Sequence, residues 1–222
     1  MTDSQPTILY EDNHLLALLK PAGMLTMGDD TGDETMVDVA REYLRVKYNK
    51  PGNVFVGVVH RLDRPVSGVL LFARTSKAAA RLSDQFRRGV VKKLYHAVVE
   101  GSPPDAAGTL VDWLLKDRQQ NLVACVSENT PGGQKSILNY RVTSRESGRT
   151  HLEIEPLTGR SHQIRVQLAS AGAPIIGDVK YGSRVKKGGR ILLHAKSLEF
   201  DHPTKKDRVR IEAETDGDLS KR

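Results

Sequence analysis

Arg61, Asp63 and Arg64 lie within four residues of one another in VVHRLDRPVSGVLLFART (58–75), between two apolar, strand-like runs. An aspartate beside arginines is held ionised, because the neighbouring positive charge favours the carboxylate. Such a carboxylate can act as a nucleophile or a general base. On these residues alone, a solvent-exposed Asp–Arg pair of little energetic worth is the simpler account. A second group stands in LTGRSHQIRVQL (157–168), where a Gly-Arg-Ser turn runs into a helical pattern and presents Arg160, His162, Gln163 and Arg165. A helix start carrying arginines is a natural anion site. His162 and Gln163 in such a place more often satisfy buried backbone. The Gly-punctuated GAPIIGDVKYG (172–182) follows, a loop of the kind used where a backbone approaches something closely. Tyr95, in KKLYHAVVEG (92–101), is either an ordinary strand aromatic or, beside Lys92 and Lys93, a stacking residue.

The chain has 222 residues, 38% hydrophobic and 27% charged, enough for one large domain or two small lobes. No apolar run approaches the roughly 20 residues that span a bilayer, and the polar, acidic N-terminus shows neither a signal nor a transit peptide. Cys125 is the single cysteine, which excludes an internal disulfide and a Cys-rich zinc site and fits a reducing cytoplasm. No nucleotide-binding glycine motif, zinc-protease motif or nucleophile elbow occurs, and the seven histidines lack metal-ligand spacing. Lysine and arginine exceed aspartate and glutamate by 34 − 27 = 7. The excess gathers in RRGVVKK (87–93), RVKKGGR (184–190) and KKDRVR (205–210). Each cluster alone reads as a solvated face; three together point to a polyanionic partner, most simply nucleic acid.

The elements that must position these residues follow from periodicity. TILYEDNHLLALLKPAGM predicts two short strands, and Thr35 caps a helix of about 13 residues ended by Asn49 and Pro51. VFVGVV (54–59) and VLLFART (69–75) read as buried strands. Ser76 is placed as N-cap of a helix that stops at Gly89. Strands are expected at 94–101, around Trp113 and LVACV, in SILNYRVTS and THLEIEPL, and in ILLHAKSLEF and RVRIEAE. A helix is expected over 161–171, and a frayed tail over 215–222. Roughly ten strands and three main helices make a mixed α+β chain with a central, mostly antiparallel sheet in two lobes. The expected domain is single, with its core at about 8–212 and a lobe seam near 102–108.

HRLDRPVSG, KKLYHAVVEG, GRSHQIRVQLASAGAPIIGDVKYG and ILLHA together resemble, in order, the signature blocks of the RluA family of pseudouridine synthases. The resemblance covers about residues 8 to 212. Pro65 and Val66 stand where many members have Asp and Thr, Gln167 replaces a common His, and Lys20 sits in LLKPAGM where Asn-Lys-Pro is usual. No N-terminal extension is long enough for an S4-like RNA-binding domain, so the catalytic domain is expected to find its RNA largely by itself.

The resemblance implies the pseudouridine synthase catalytic fold and isomerisation of uridine in ribosomal or transfer RNA. The bond from N1 of uracil to C1′ of ribose breaks, the base turns, and C5 joins C1′. No metal or nucleotide cofactor is implied. Asp63 would be the essential carboxylate, with three first steps open to it: attack on the sugar, attack on the base, or removal of a ribose proton. Arg165 would pair with Asp63 and keep it charged. Tyr95 would stack on the uracil and is a candidate base for the C5 proton. Arg61 is the candidate to fill the space of an extruded base or to pair in the rearranged RNA. Arg64, Arg160, His162, Gln163, Lys92 and Lys93 complete the RNA-binding candidates. The protein is expected to be a cytoplasmic monomer with no obligate protein partner and no membrane association. Two other classes compete: an RNA-binding or RNA-folding module with incidental or lost catalysis, and, with little weight, a hydrolase using Ser67 with His60 or His162, which lacks an orienting Asp.

Overall fold

The structure, a computed structural model, describes residues 5–29, 31–215 and 217–219. It divides into two compact units: residues 1–92 with 195–214, and residues 93–194 with 215–222. The expected seam at 102–108 falls within the second of these units.

In the first unit β1 (Ile8–Glu11), β2 (Leu15–Lys20), β4 (Ser67–Ala73) and β10 (Leu193–Asp201) lie side by side, with β3 (Gly57–Val58) on β4 and β11 (Arg208–Glu212) on β10. The pairs β1–β2, β2–β4, β3–β4 and β10–β11 are antiparallel. Alternate residues of the strands face α2 (Ser76–Arg88): Leu15, Ala17, Val69, Leu71, Ala73, Leu198 and Phe200 pack with Ala78 and Leu82. That spacing is the two-residue strand period meeting the helical one. Thr75 rather than Ser76 caps α2, accepting from the Ala78 amide, and Gly89 ends it in the left-handed conformation as expected. α1 (Met36–Lys47) starts from Thr35 through a capping box with Asp38 and buries Met36, Val37, Ala40 and Leu44.

The expected strand at 54–59 pairs only over Gly57–Val58. Val54 and Val56 are buried and Phe55 is exposed, so the apolar alternation is present without the ladder.

In the second unit the strand order is β5 (Lys92–Glu100), β9 (Arg149–Pro156), β8 (Gln134–Glu146), β6 (Ala107–Asp117), β7 (Leu122–Val126), antiparallel throughout. α3 (Gln163–Ser170) packs on β6 and β7, where Leu114, Val123 and Val166 form a small core. Part of the tail expected to fray is anchored: Gly217–Leu219 forms a short 3-10 turn, Leu219 packs with Val98, Ile176 and Leu192, and Asp218 pairs with Lys187 and Arg190. The rest of that expectation, apart from Thr215, lies outside the described residues. No helix among the described residues is long and apolar enough to cross a membrane.

Candidate active site

Asp63 sits on the connection from β3 to β4, in the first unit together with Arg61, Arg64 and Lys92. Leu62, directly before it, is 6% exposed and anchors the loop inward. The Val66 amide donates to the Asp63 carbonyl at 3.0 Å and closes a turn across Pro65. Gly68 has φ +122°, and a Cβ there would stand 2.3 Å from the Ala195 carbonyl oxygen, so only glycine fits where β4 begins.

Two polar side chains from far upstream hold this loop. Lys20 is fully buried, and its Nζ donates to the carbonyls of Pro21, Arg64 and Val66 at 2.9, 3.1 and 2.7 Å. Three acceptors match the three protons of an ammonium group. Burial pulls its pKa down to about 7, opposed by the Asp63 carboxylate and assisted by Arg64. Thr26, also buried, donates from Oγ1 to the Leu62 carbonyl at 2.9 Å and accepts from the Leu62 amide at 3.2 Å. Neither residue stood among the sequence candidates. Both are too far along the chain for local spacing to reveal them, and Lys20 ends an apolar run where a lysine ordinarily reaches water.

Arg64 braces the same loop. Its Nε donates to the Gly23 carbonyl at 2.9 Å, the Gly23 amide returns a bond to the Arg64 carbonyl at 2.7 Å, and the guanidinium meets Asp33 at 2.8 Å. His60 accepts from the Leu71 amide through Nε2 at 2.9 Å and stacks on Phe86, which makes it a scaffold residue. Arg61 is exposed and, among the described residues, makes no ion pair. Lys92 is exposed at the start of β5. The loop thus separates a braced Arg64 from an outward Arg61, with a partly buried Asp63 between them.

Tyr95, Lys93, Arg160, His162, Gln163 and Arg165 belong to the second unit. Tyr95 stands on β5 opposite Ile154 of β9 and shares a strand face with Lys93. Lys93 is half-buried, and its Nζ donates to the Thr158 carbonyl at 3.1 Å, tying β5 to the turn that leads into α3. Burial lowers its pKa to about 8, with Glu155 pulling the other way. Gln163 is 4% exposed and spends its amide on backbone and turn: Oε1 accepts from the Arg160 amide and the Thr158 hydroxyl, and Nε2 donates to the Ile137 carbonyl. Among the six, Lys93 and Gln163 act as supports of the turn. Arg160 stays exposed.

Arg165 is 5% exposed and faces Asp178, itself 2% exposed, through two bonds of 2.7 and 2.8 Å. Its guanidinium lies 5.0 Å from the centre of the Tyr181 ring. The Tyr181 hydroxyl accepts from the Val123 amide at 3.0 Å and meets Nδ1 of His162 at 2.6 Å. His162 adopts φ +51° at the cap of α3, a left-handed conformation uncommon for a side chain of that size. Sequence reading picked Arg165 and His162 but missed Asp178 and Tyr181, which orient them. Both lie in GAPIIGDVKYG, where Gly177 approaches the Arg190 carbonyl so closely that a Cβ would stand 2.4 Å away.

Each unit thus holds groups able to do chemistry: a carboxylate on a braced loop in the first, and a strand tyrosine and a buried arginine fixed by its own counter-ion in the second. Among the described residues no cluster of three potential metal ligands occurs.

Known proteins resemble this chain in sequence and in fold. The family described as RNA pseudouridylate synthase matches residues 14–170. "Ribosomal large subunit pseudouridine synthase C" of Buchnera aphidicola subsp. Baizongia pistaciae is 37% identical over 94% of this chain and 67% of its own length. "Uncharacterized RNA pseudouridine synthase YhcT" of Bacillus subtilis strain 168 is 35% identical over 96% of this chain and 69% of its own. In three dimensions the chain resembles "Human RNA Pseudouridylate Synthase Domain Containing 4" with a TM-score of 0.80 at 22% identity, over 96% of this chain and 90% of that one. The fold is therefore the pseudouridine synthase fold expected from the signature blocks, and a binding module without catalysis is not favoured. The chain belongs to the RNA pseudouridylate synthase family of isomerases.

Proposed function

We propose that this isomerase converts a uridine of large-subunit ribosomal RNA to pseudouridine, with Asp63 as the reacting carboxylate. The supporting observation is the mounting of Asp63: a partly buried carboxylate on a loop held from below by Lys20 and Thr26. A group that acts on one atom of a flipped nucleotide must be held to within a fraction of an ångström, and rigid mounting supplies that. The ribosomal assignment rests on the printed name of the relative in Buchnera.

In this reading Arg165 is the cation that serves the reacting carboxylate, and Asp178 keeps Arg165 in place. Tyr95 stacks on the uracil and takes the C5 proton after C5 has joined C1′. Arg61 enters the space left by the extruded base. Arg160, His162 and the outward lysines hold the flanking phosphates. Extrusion costs a few kcal/mol, which stacking at about 1–3 kcal/mol per base and phosphate contacts offset. The protein works as a cytoplasmic monomer.

The test is incubation of the purified protein with large-subunit ribosomal RNA transcripts and, separately, transfer RNA transcripts, followed by pseudouridine mapping. Wild type is expected to modify a ribosomal uridine and folded Asp63→Asn to modify none. Modification surviving in Asp63→Asn would remove Asp63 from the mechanism. Modification confined to transfer RNA would overturn the substrate.

A further inference from the structure

We propose that the outward face of β6 and β8 is a second nucleotide-binding position, where Trp113 stacks on an unpaired base of the RNA and Lys135 and Arg160 hold its phosphates. This rests on the reading of RNA as substrate and adds a contact outside the catalytic groups.

The two faces of β6 are unlike. Leu114 packs with Val166 of α3, and Asp112 Oδ2 accepts from Nε2 of Gln167 at 2.7 Å, so α3 covers the even-numbered face. Val111, Trp113 and Leu115 share the opposite face by strand alternation, where Val111 is 47% exposed and Trp113 half-buried. Val126 and Lys135 flank Trp113 as its cross-strand partners on β7 and β8. An aromatic on the side of a sheet away from its helix, bordered by cations, is how single-stranded nucleic acid is held without reading its sequence.

The cations are in place. Lys135 Nζ lies 5.2 Å from the centre of the indole ring, and Arg160 Nε donates to the Lys135 carbonyl at 3.3 Å. Among the described residues neither makes an ion pair, whereas many of the other exposed arginines are matched with carboxylates, as Arg87 and Arg88 are with Asp84. A lysine over an indole is a contact that a base can replace: the ring exchanges one face partner for another, and the ammonium moves to the adjoining phosphate. The charge of this face suits a polyanion rather than an apolar protein surface, and Lys135, the cross-strand partner of Trp113, links it to the turn that carries Arg160.

Trp113 is the only tryptophan in the chain, so its emission reports this position alone. The experiment titrates the full chain with octauridylate while following tryptophan fluorescence, and in parallel maps pseudouridine in ribosomal RNA treated with the same preparation. Saturable quenching is expected, and Lys135→Glu, which keeps the fluorophore, should weaken it about tenfold. Trp113→Ala should weaken octauridylate binding by a similar factor in a filter assay. Emission unchanged by RNA while the wild type still forms pseudouridine would overturn the platform and leave the catalytic reading standing. Quenching by a protein that modifies no RNA would support the platform and overturn that reading. Wild-type affinity in Lys135→Glu, or emission that follows protein concentration instead of RNA, would overturn the platform, the latter in favour of a second copy of this chain.

Discussion

Arg165 and Asp178 form a buried, two-pronged ion pair, with Nε on one carboxylate oxygen at 2.7 Å and a terminal nitrogen on the other at 2.8 Å. The geometry fixes the plane of the guanidinium as well as its position, because both bonds must be made at once. Breaking such a pair from one side costs about 3–5 kcal/mol, since the remaining charge stays buried. Asp178→Asn is therefore expected to lower the free energy of urea unfolding by that order. It should also reduce the turnover number for pseudouridine formation more than the Michaelis constant changes. A urea midpoint equal to that of wild type would show that the pair does not carry this load.

Thr26 answers both backbone groups of Leu62, the residue before Asp63. Valine has the same shape without the hydroxyl, so Thr26→Val leaves a buried amide and a buried carbonyl without their partner, at about 1–3 kcal/mol. The expected result is a folded protein with a lower melting temperature and slower single-turnover isomerisation. Full single-turnover rates would dissociate the loop's anchoring from its chemistry.

Lys20 gives a prediction with a sign. Its pKa in the folded chain is about 7, whereas an unfolded lysine titrates near 10.4. Between those values the unfolded state binds more protons, so this residue's contribution to stability rises with pH. Comparing urea midpoints of wild type and Lys20→Met at pH 7 and 9.5 should show wild type gaining on the variant. A difference that narrows with pH would contradict the assignment.

Glu11 works in the opposite range. Burial alone would raise its pKa, but hydrogen bonds from Lys47, Tyr48 and Tyr43 and the charge of Lys47 bring it down to about 2. Its stabilising share is then complete above the ordinary glutamate value near 4.3 and lost as pH falls towards 2. Thermal melts from pH 5 to 2.5 should fall more steeply for wild type than for Glu11→Gln; parallel curves would argue against the network.

Much of this was legible in the sequence where a local rule applies. Thr35 and Gly89 mark helix ends because capping is decided within four residues, and the strands around Leu15–Ala17 and Val69–Ala73 show their burial through alternation. The misreadings arise where distant backbone decides. VFVGVV has the composition of a central strand, yet only Gly57 and Val58 find a partner in β4. Ser76 and Thr75 are equally good caps on paper, and the one whose hydroxyl reaches the Ala78 amide takes the role. Lys20, Thr26 and Asp178 are polar residues without periodicity, and their importance lies in partners 13 to 46 positions away.

Every bond that Lys20 gives to the Asp63 loop ends on a main-chain oxygen. These bonds fix the loop from β2 without using the side chains at positions 65 and 66, while the Arg64 side chain adds its own brace through Gly23 and Asp33. Pro65 and Val66, at odds with the family's usual Asp and Thr, can occupy their places because the mould grips the chain and not its substituents. Such a division lets the carboxylate at position 63 keep its place while residues 65 and 66 change, as a chuck holds one shank and accepts many bits.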